Sequence, residues 1–207
     1  DFCLSRGLGD VYKRQVDIIP NSWPSDPKHI VNGQLKIPPN MWYIGTANND
    51  DSTFAITDKV YDRAMPINID TKGVPFEAPL TDSVYISYKH FEYILNAAKV
   101  QFVVSEENLK KIALLDDYVI EHFRIAFGNR IVKQLRDFVP AYVGTGGTEL
   151  DGLDYVLARK VFRKFESLNL SYIRDEIDGL CAYIDELFGE ENMTESKDYL
   201  RMLKKLV

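Results

Sequence analysis

Ile37-Pro38-Pro39-Asn40-Met41-Trp42-Tyr43-Ile44-Gly45-Thr46-Ala47-Asn48-Asn49-Asp50-Asp51-Ser52-Thr53 sets a short apolar run against a dense cluster of small polar groups. Trp42, Tyr43 and Ile44 favour strand and show no polar alternation, the pattern of a strand buried on both faces of a parallel sheet. Gly45 and Thr46 end that strand and carry Asn48, Asn49, Asp50 and Asp51 to its carboxyl end. Open α/β sheets bind their ligands in the crevice at those ends. The expectation is one wall of a ligand site. The plain alternative is an ordinary strand followed by an Asx-rich turn.

Working outward, a Ser-Thr-Phe-Ala spacer leads to Ile56–Ala64, a short helix with Thr57 as N-cap. Met65-Pro66-Ile67-Asn68-Ile69 then reads as a second short strand. Residues 71 to 84 form a connecting loop, and from Tyr85 onward the pattern is helical. Ser87 to Val100 gives one helix. Ser105 is an N-cap for a long one, whose Leu109, Ile112, Leu115, Val119, Ile120 and Phe123 recur at three- and four-residue steps. Gly128 is expected to end it, and Asn129 to cap the next, which carries Ile131, Val132, Leu135 and Phe138. The glycine-rich Val143–Thr148 reads as a turn. Thr148 and Asp151 make a capping box for a helix holding Leu153, Val156, Leu157, Val161 and Phe165. Ser171 starts another helix, stopped after Phe188 by Gly189, and Thr194 starts the last.

The pattern Pro-x-x-hydrophobic-Ile-Gly-Thr-x-Asn, followed by Asp58 and Arg63, resembles the second half of an AAA-type (AAA+) ATPase core. The likeness is to the nucleotide-hydrolysing subunit of modification-dependent restriction systems and its bacterial relatives. By that resemblance Asn48 is the sensor-1 residue that orients the attacking water. Arg63 is the arginine finger that reaches the nucleotide site of a neighbouring subunit, although the chain has Asp62-Arg63-Ala64 where relatives commonly carry two arginines and a phenylalanine. Arg130, in Phe127-Gly128-Asn129-Arg130, matches the sensor-2 arginine of the helical lid. The resemblance implies a mixed α/β then α fold class. Residues 16–84 would be the C-terminal part of a parallel-sheet AAA+ core, and residues 85–207 a mainly α-helical lid domain.

These roles suit their residue types. Phosphoryl transfer needs positioning and positive charge more than covalent help. An amide such as Asn48 can donate and accept without becoming charged. A guanidinium such as that of Arg63 or Arg130 presents a rigid, permanently charged fork to phosphate. The plain alternatives are an ion pair of Arg63 with Asp58 or Asp62, and a solvated basic face for Arg130 with Lys133 and Arg136.

No Gly-x-x-x-x-Gly-Lys-Ser/Thr phosphate loop occurs in the 207 residues, and no apolar strand ending in Asp-Glu precedes Ile37. The expectation is therefore a fragment, inactive alone. The resemblance implies a full-length parent that uses ATP with Mg2+ (GTP being the other option) and assembles as a ring, a hexamer by family frequency, with DNA or a nuclease subunit as partner. Residues 1–15 resemble a translated sequencing adapter and are expected to be disordered.

At 45% hydrophobic and 27% charged, with net charge −6, the composition is globular and carries no general nucleic-acid footprint. No apolar run approaches the roughly 20 residues that span a membrane, and a cytoplasmic location is expected. Cys3 and Cys181 offer no disulfide framework, and His29, His90 and His122 lack ligand spacing. The run Arg159-Lys160 and Arg163-Lys164 reads as solvated surface rather than a DNA contact. A non-catalytic helical interaction module remains the alternative to the ATPase reading.

Overall fold

A computed structural model describes residues 15–17, 28–47, 64–67, 69 and 72–205. The chain divides into two compact units, residues 1–64 and 65–207. In the first, β1 (Gln15–Asp17), β2 (Ile30–Val31) and β3 (Gln34–Lys36) form a sheet in the order β1-β3-β2. Both pairings are antiparallel, with Gln15 opposite Lys36 and Ile30 opposite Leu35. For β2 and β3 the reason lies in Asn32-Gly33, whose φ angles of 52° and 74° are both left-handed. A two-residue Asn-Gly loop with positive φ twists in the sense that joins adjacent antiparallel strands.

The parallel-sheet AAA+ core expected over residues 16–84 is thereby corrected: every strand pairing among the described residues is antiparallel. Trp42, Tyr43 and Ile44 lie outside any strand and are exposed, Ile44 to 91%. Met65, Ile67 and Ile69 likewise form no strand and are exposed. A three-residue apolar run supplies strand propensity, but propensity becomes a buried strand only where neighbours supply ladder partners and packing. Of the expected helix over 56–64, residues 56–63 lie outside the described residues and Ala64 is a bend; residues 1–14 also lie outside them, and Gln15 begins β1.

The second unit is a helical bundle of α1 (Tyr88–Gln101), α2 (Glu106–Phe123), α3 (Gly128–Gly144), α4 (Glu149–Val156), α5 (Leu170–Phe188) and α6 (Thr194–Lys205). Ser87 caps α1 by accepting the His90 N–H at 3.2 Å, and Ser105 caps α2 by accepting that of Asn108 at 3.2 Å. Thr148 and Asp151 form the capping box of α4 in both directions. One core runs through α2 to α6, with Leu115, Val119, Leu135, Val139, Leu153, Val156, Ile177, Leu180, Ile184, Leu200 and Leu203 fully buried. α1 differs: none of its residues is buried. It lies against α3 where Gly144 permits close approach, since a Cβ there would stand 3.4 Å from the Ala98 Cβ.

Several helix boundaries differ from the sequence expectation; α5 starts at Leu170, behind Asn169, rather than at Ser171. α2 ends at Phe123, and its C-cap is Arg124 with φ 57°, whose N–H reaches the Ile120 carbonyl at 3.0 Å. Gly128, at φ 72°, instead opens α3, and Phe127 rather than Asn129 stands at the cap position. The expected single helix through Phe165 also changes gauge, becoming a π-turn over Leu157–Val161 and a 3₁₀ turn over Phe162–Ser167. Residues five apart diverge by about 140° around an α-helix, whereas a wider π-turn brings them towards one face. Leu157 and Phe162, five apart, are both fully buried.

Candidate functional site

Of the three residues singled out for nucleotide chemistry, Asn48 and Arg63 lie outside the described residues. Arg130 is described. It is exposed, in the first turn of α3, on a helix fastened to the core by Ile131, Leu135 and Val139. That four-residue spacing turns one face inward and leaves Arg130, Lys133, Arg136 and Asp137 exposed. Asp137 accepts an ion pair from Lys99 of α1 at 2.7 Å.

The turn carrying Arg130 is pinned from several sides. Phe127 is buried to 2% exposure and Ile125 packs partly against the core. The Phe127 N–H donates to Asp116 Oδ1 of α2 at 2.8 Å. No side chain caps the helix from position 127 itself, so the first-turn N–H groups give this end of α3 the partial positive charge of a helix start. A basic residue there adds to a field that suits an anion.

A hollow of about 310 Å³ lies nearby in the bundle, lined by Lys99, Val103, Val104, Glu106, Leu109, Arg136 and Pro140. Arg130 does not line it. The charges lining the hollow are of both signs, those of Lys99 and Arg136 and that of Glu106. Among the described residues no group of three or more His, Cys, Asp or Glu could hold a metal ion.

The basic run is not the solvated face expected from sequence. Lys160 is buried to 5% exposure. Arg159 is ion-paired with Glu195, and its guanidinium lies 3.7 Å from the centre of the Tyr155 ring. Helical spacing explains the difference, because Lys160 stands seven residues after the fully buried Leu153 and four after Val156, on the inward stripe of the helix. His122 is bonded to Glu176 at 2.9 Å and stacked on Tyr118, with ring centres 4.1 Å apart. His29 and His90 are exposed. Cys181 is a buried free thiol, and burial pushes its pKa up.

Sequence reasoning missed the carboxylates that organise the bundle. Asp154, 4% exposed, accepts the N–H groups of Glu195 and Ser196 at 2.8 Å each and so caps α6 from α4. Burial pushes its pKa up, against the hydrogen bonds from Ser196 and Glu195, which pull it down. Glu149 Oε1 accepts from the Ser105 N–H, the Ser105 hydroxyl and the Asn108 amide at 2.9, 2.8 and 2.7 Å, tying the starts of α2 and α4 together. An acidic residue among apolar neighbours, as in Leu153-Asp154-Tyr155-Val156, is the one local signal of such a role, since a buried carboxylate needs partners.

No helix among the described residues is long and apolar enough to cross a membrane. No protein-family model matches the chain, and no curated protein or solved structure matches it significantly.

Proposed function

We propose that the helical bundle is the lid-like part of an ATP-driven machine and that Arg130 contacts the phosphates of the bound nucleotide. The observation that carries this reading is the exposure of Arg130 in the first turn of a helix otherwise locked to the core by Ile131, Leu135 and Val139. A guanidinium on so fixed a base can follow the bundle as one body, so a change in nucleotide state could be coupled to bundle position. Asn48 and Arg63 complete the proposal as the water-orienting amide and the finger serving a neighbouring subunit. The phosphate loop and magnesium-binding acid come from sequence other than these 207 residues, in a ring that acts on DNA or a protein partner. The resemblance of Ile37–Asn48 to the AAA-type motif supports the same reading.

The test is phosphate release by a longer protein that joins this chain to a phosphate loop. A hydrogen bond to a charged group contributes about 1.5–3 kcal/mol, so Arg130→Ala should slow turnover roughly 10- to 100-fold at saturating ATP. Helical content should be unchanged. An unchanged rate would remove Arg130 from the site.

A second reading, a helical module that binds another macromolecule without catalysis, is favoured by the apolar residues left exposed before and along α1. They include Phe76 at 84%, Leu80 at 105%, Val84 at 87%, Tyr85 at 95% and Tyr93 at 71%. Apolar side chains that gather into one exposed patch mark sites of association. The two readings part on whether Arg130→Ala affects hydrolysis.

A further inference from the structure

The residue before a functional helix start is usually what fixes it, and here that residue has no capping side chain of its own. Phe127 stands at the cap position of α3 and offers only a ring, which is buried to 2% exposure. Its N–H is taken by Asp116, three turns into α2 and eleven residues away in sequence, at 2.8 Å. The link between the helices is short and sharply bent. Arg124 and Gly128, at φ 57° and 72°, bracket it with left-handed backbone. Gly128 accepts that conformation freely, but a non-glycine residue such as Arg124 holds it at a cost that its surroundings must offset. Ile125 and Phe127 supply part of that restraint by packing on the core. They fix where the link lies. A ring in a pocket does not fix the rotation of its own peptide group, however, and a hydrogen bond to the N–H does.

We infer that Asp116 is a positioning residue for Arg130: by holding the Phe127 N–H it sets the peptide plane from which α3 begins, and so the turn from which the guanidinium projects. This rests on the phosphate-contact reading of Arg130. Asp116 also brings a negative charge near the start of α3, where it lowers the attraction for an anion. Geometry and charge therefore act in opposite directions, which lets an experiment separate them.

The experiment uses the whole 207-residue chain with Asp116→Asn and Asp116→Ala. Both remove the charge, but only asparagine keeps an oxygen able to accept the Phe127 N–H. The first measurement is amide hydrogen exchange over residues 127–131. Asp116→Ala should accelerate it roughly tenfold or more, and Asp116→Asn should return it to within about threefold of the wild-type rate. Equal exchange in the wild type and Asp116→Ala would overturn the inference, whatever Arg130 does. The second is weak binding of inorganic tripolyphosphate, followed by the amide resonances of α3, with Arg130→Ala as reference. Positioning requires Asp116→Ala to bind several-fold more weakly than Asp116→Asn. Equal tightening in both would make Asp116 an electrostatic brake and sink the positioning role. If the wild type and Arg130→Ala respond alike to tripolyphosphate, the phosphate-contact reading fails, and with it the inference that rests on it. A normal exchange pattern in Asp116→Asn would then still show Asp116 holding the helix start for structural reasons alone.

Discussion

Residues 72–87 and the π–3₁₀ stretch Leu157–Ser167 are both rich in large apolar side chains, yet they meet opposite fates. In the second, Leu157, Val161, Phe162 and Phe165 are fully buried. In the first, Val74, Phe76, Leu80, Val84 and Tyr85 are at least 80% exposed. Apolar content is similar; what differs is spacing and company. Residues 157–165 follow a capped helix and are faced by α6, so each turn presents side chains to an existing surface. Residues 72–87 carry no hydrogen-bonded element that would repeat an apolar face. Hydrophobicity supplies the driving force, but period and partner decide whether it is used.

The largest effect expected from that contrast is in a pair of phenylalanine truncations. Phe162→Ala should cost about 3–5 kcal/mol in urea unfolding, because it removes a fully buried ring and leaves a cavity. Phe76→Ala, at an exposed position, should change stability by no more than about 0.5 kcal/mol. A comparable loss at Phe76 would mean that the ring is covered in solution, as the interaction-module reading requires of a self-associating chain. The dependence of that loss on protein concentration would show it directly.

Asp154 sharpens the contrast from the polar side. Its carboxylate stitches α6 to α4, and Asp154→Ala should cost about 2–3 kcal/mol by leaving the Glu195 and Ser196 N–H groups without their acceptor. Its pH dependence has a definite sign. A carboxyl whose pKa is raised on folding holds its proton more tightly folded than unfolded. That contribution is complete below the ordinary value of 3.8 and is lost as pH rises through the raised folded value. Wild type should therefore lose stability relative to Asp154→Asn as pH rises from below 3.8 through the raised folded value. A flat difference would show that the hydrogen bonds cancel the effect of burial, and a gain in wild-type stability with rising pH that they outweigh it.

Local chemistry in the bundle was legible because caps carry their signal within four residues. The Ser105 cap, the Thr148–Asp151 box and the stop at Gly189 could all be read from sequence, and each stands as expected; Ser87, expected as the first residue of its helix, caps it instead. Where a reading needed knowledge of a partner, it failed. Trp42-Tyr43-Ile44 has the residues of a buried strand but pairs with none among the described residues. Asn32-Gly33 carries the stronger local signal, that of a hairpin turn, while the apolar run after it carries strand propensity alone. Gly128 was read as a stop because glycine in left-handed backbone so often ends a helix, yet Arg124 took that conformation and Gly128 began the next helix. Asp116, Glu149 and Asp154 act on residues 11 to 44 positions away, so no local window shows what they hold. Of the candidate site, the sequence located Arg130 on its exposed turn, but not the carboxylate that fixes the turn.

The smallest expected effect tests whether α1 belongs to the bundle's cooperative core. Ser87 and Ser105 make the same cap at the same 3.2 Å, so their local chemistry is matched. Their surroundings are not. Ser105 also donates to Glu149 and begins a helix with four buried residues, whereas α1 has none. Ser105→Ala should lower global stability by about 1–2 kcal/mol, since the lost cap also loosens the tie between α2 and α4. Ser87→Ala should leave the global urea midpoint nearly unchanged and show itself only as faster amide exchange in the first turn of α1. A helix that buries no side chain can fray without exposing core, so its local opening is decoupled from unfolding of the rest. If Ser87→Ala shifts the midpoint as far as Ser105→Ala does, α1 is held by more than its contact with α3, and the exposed residues along it must be counted with the core.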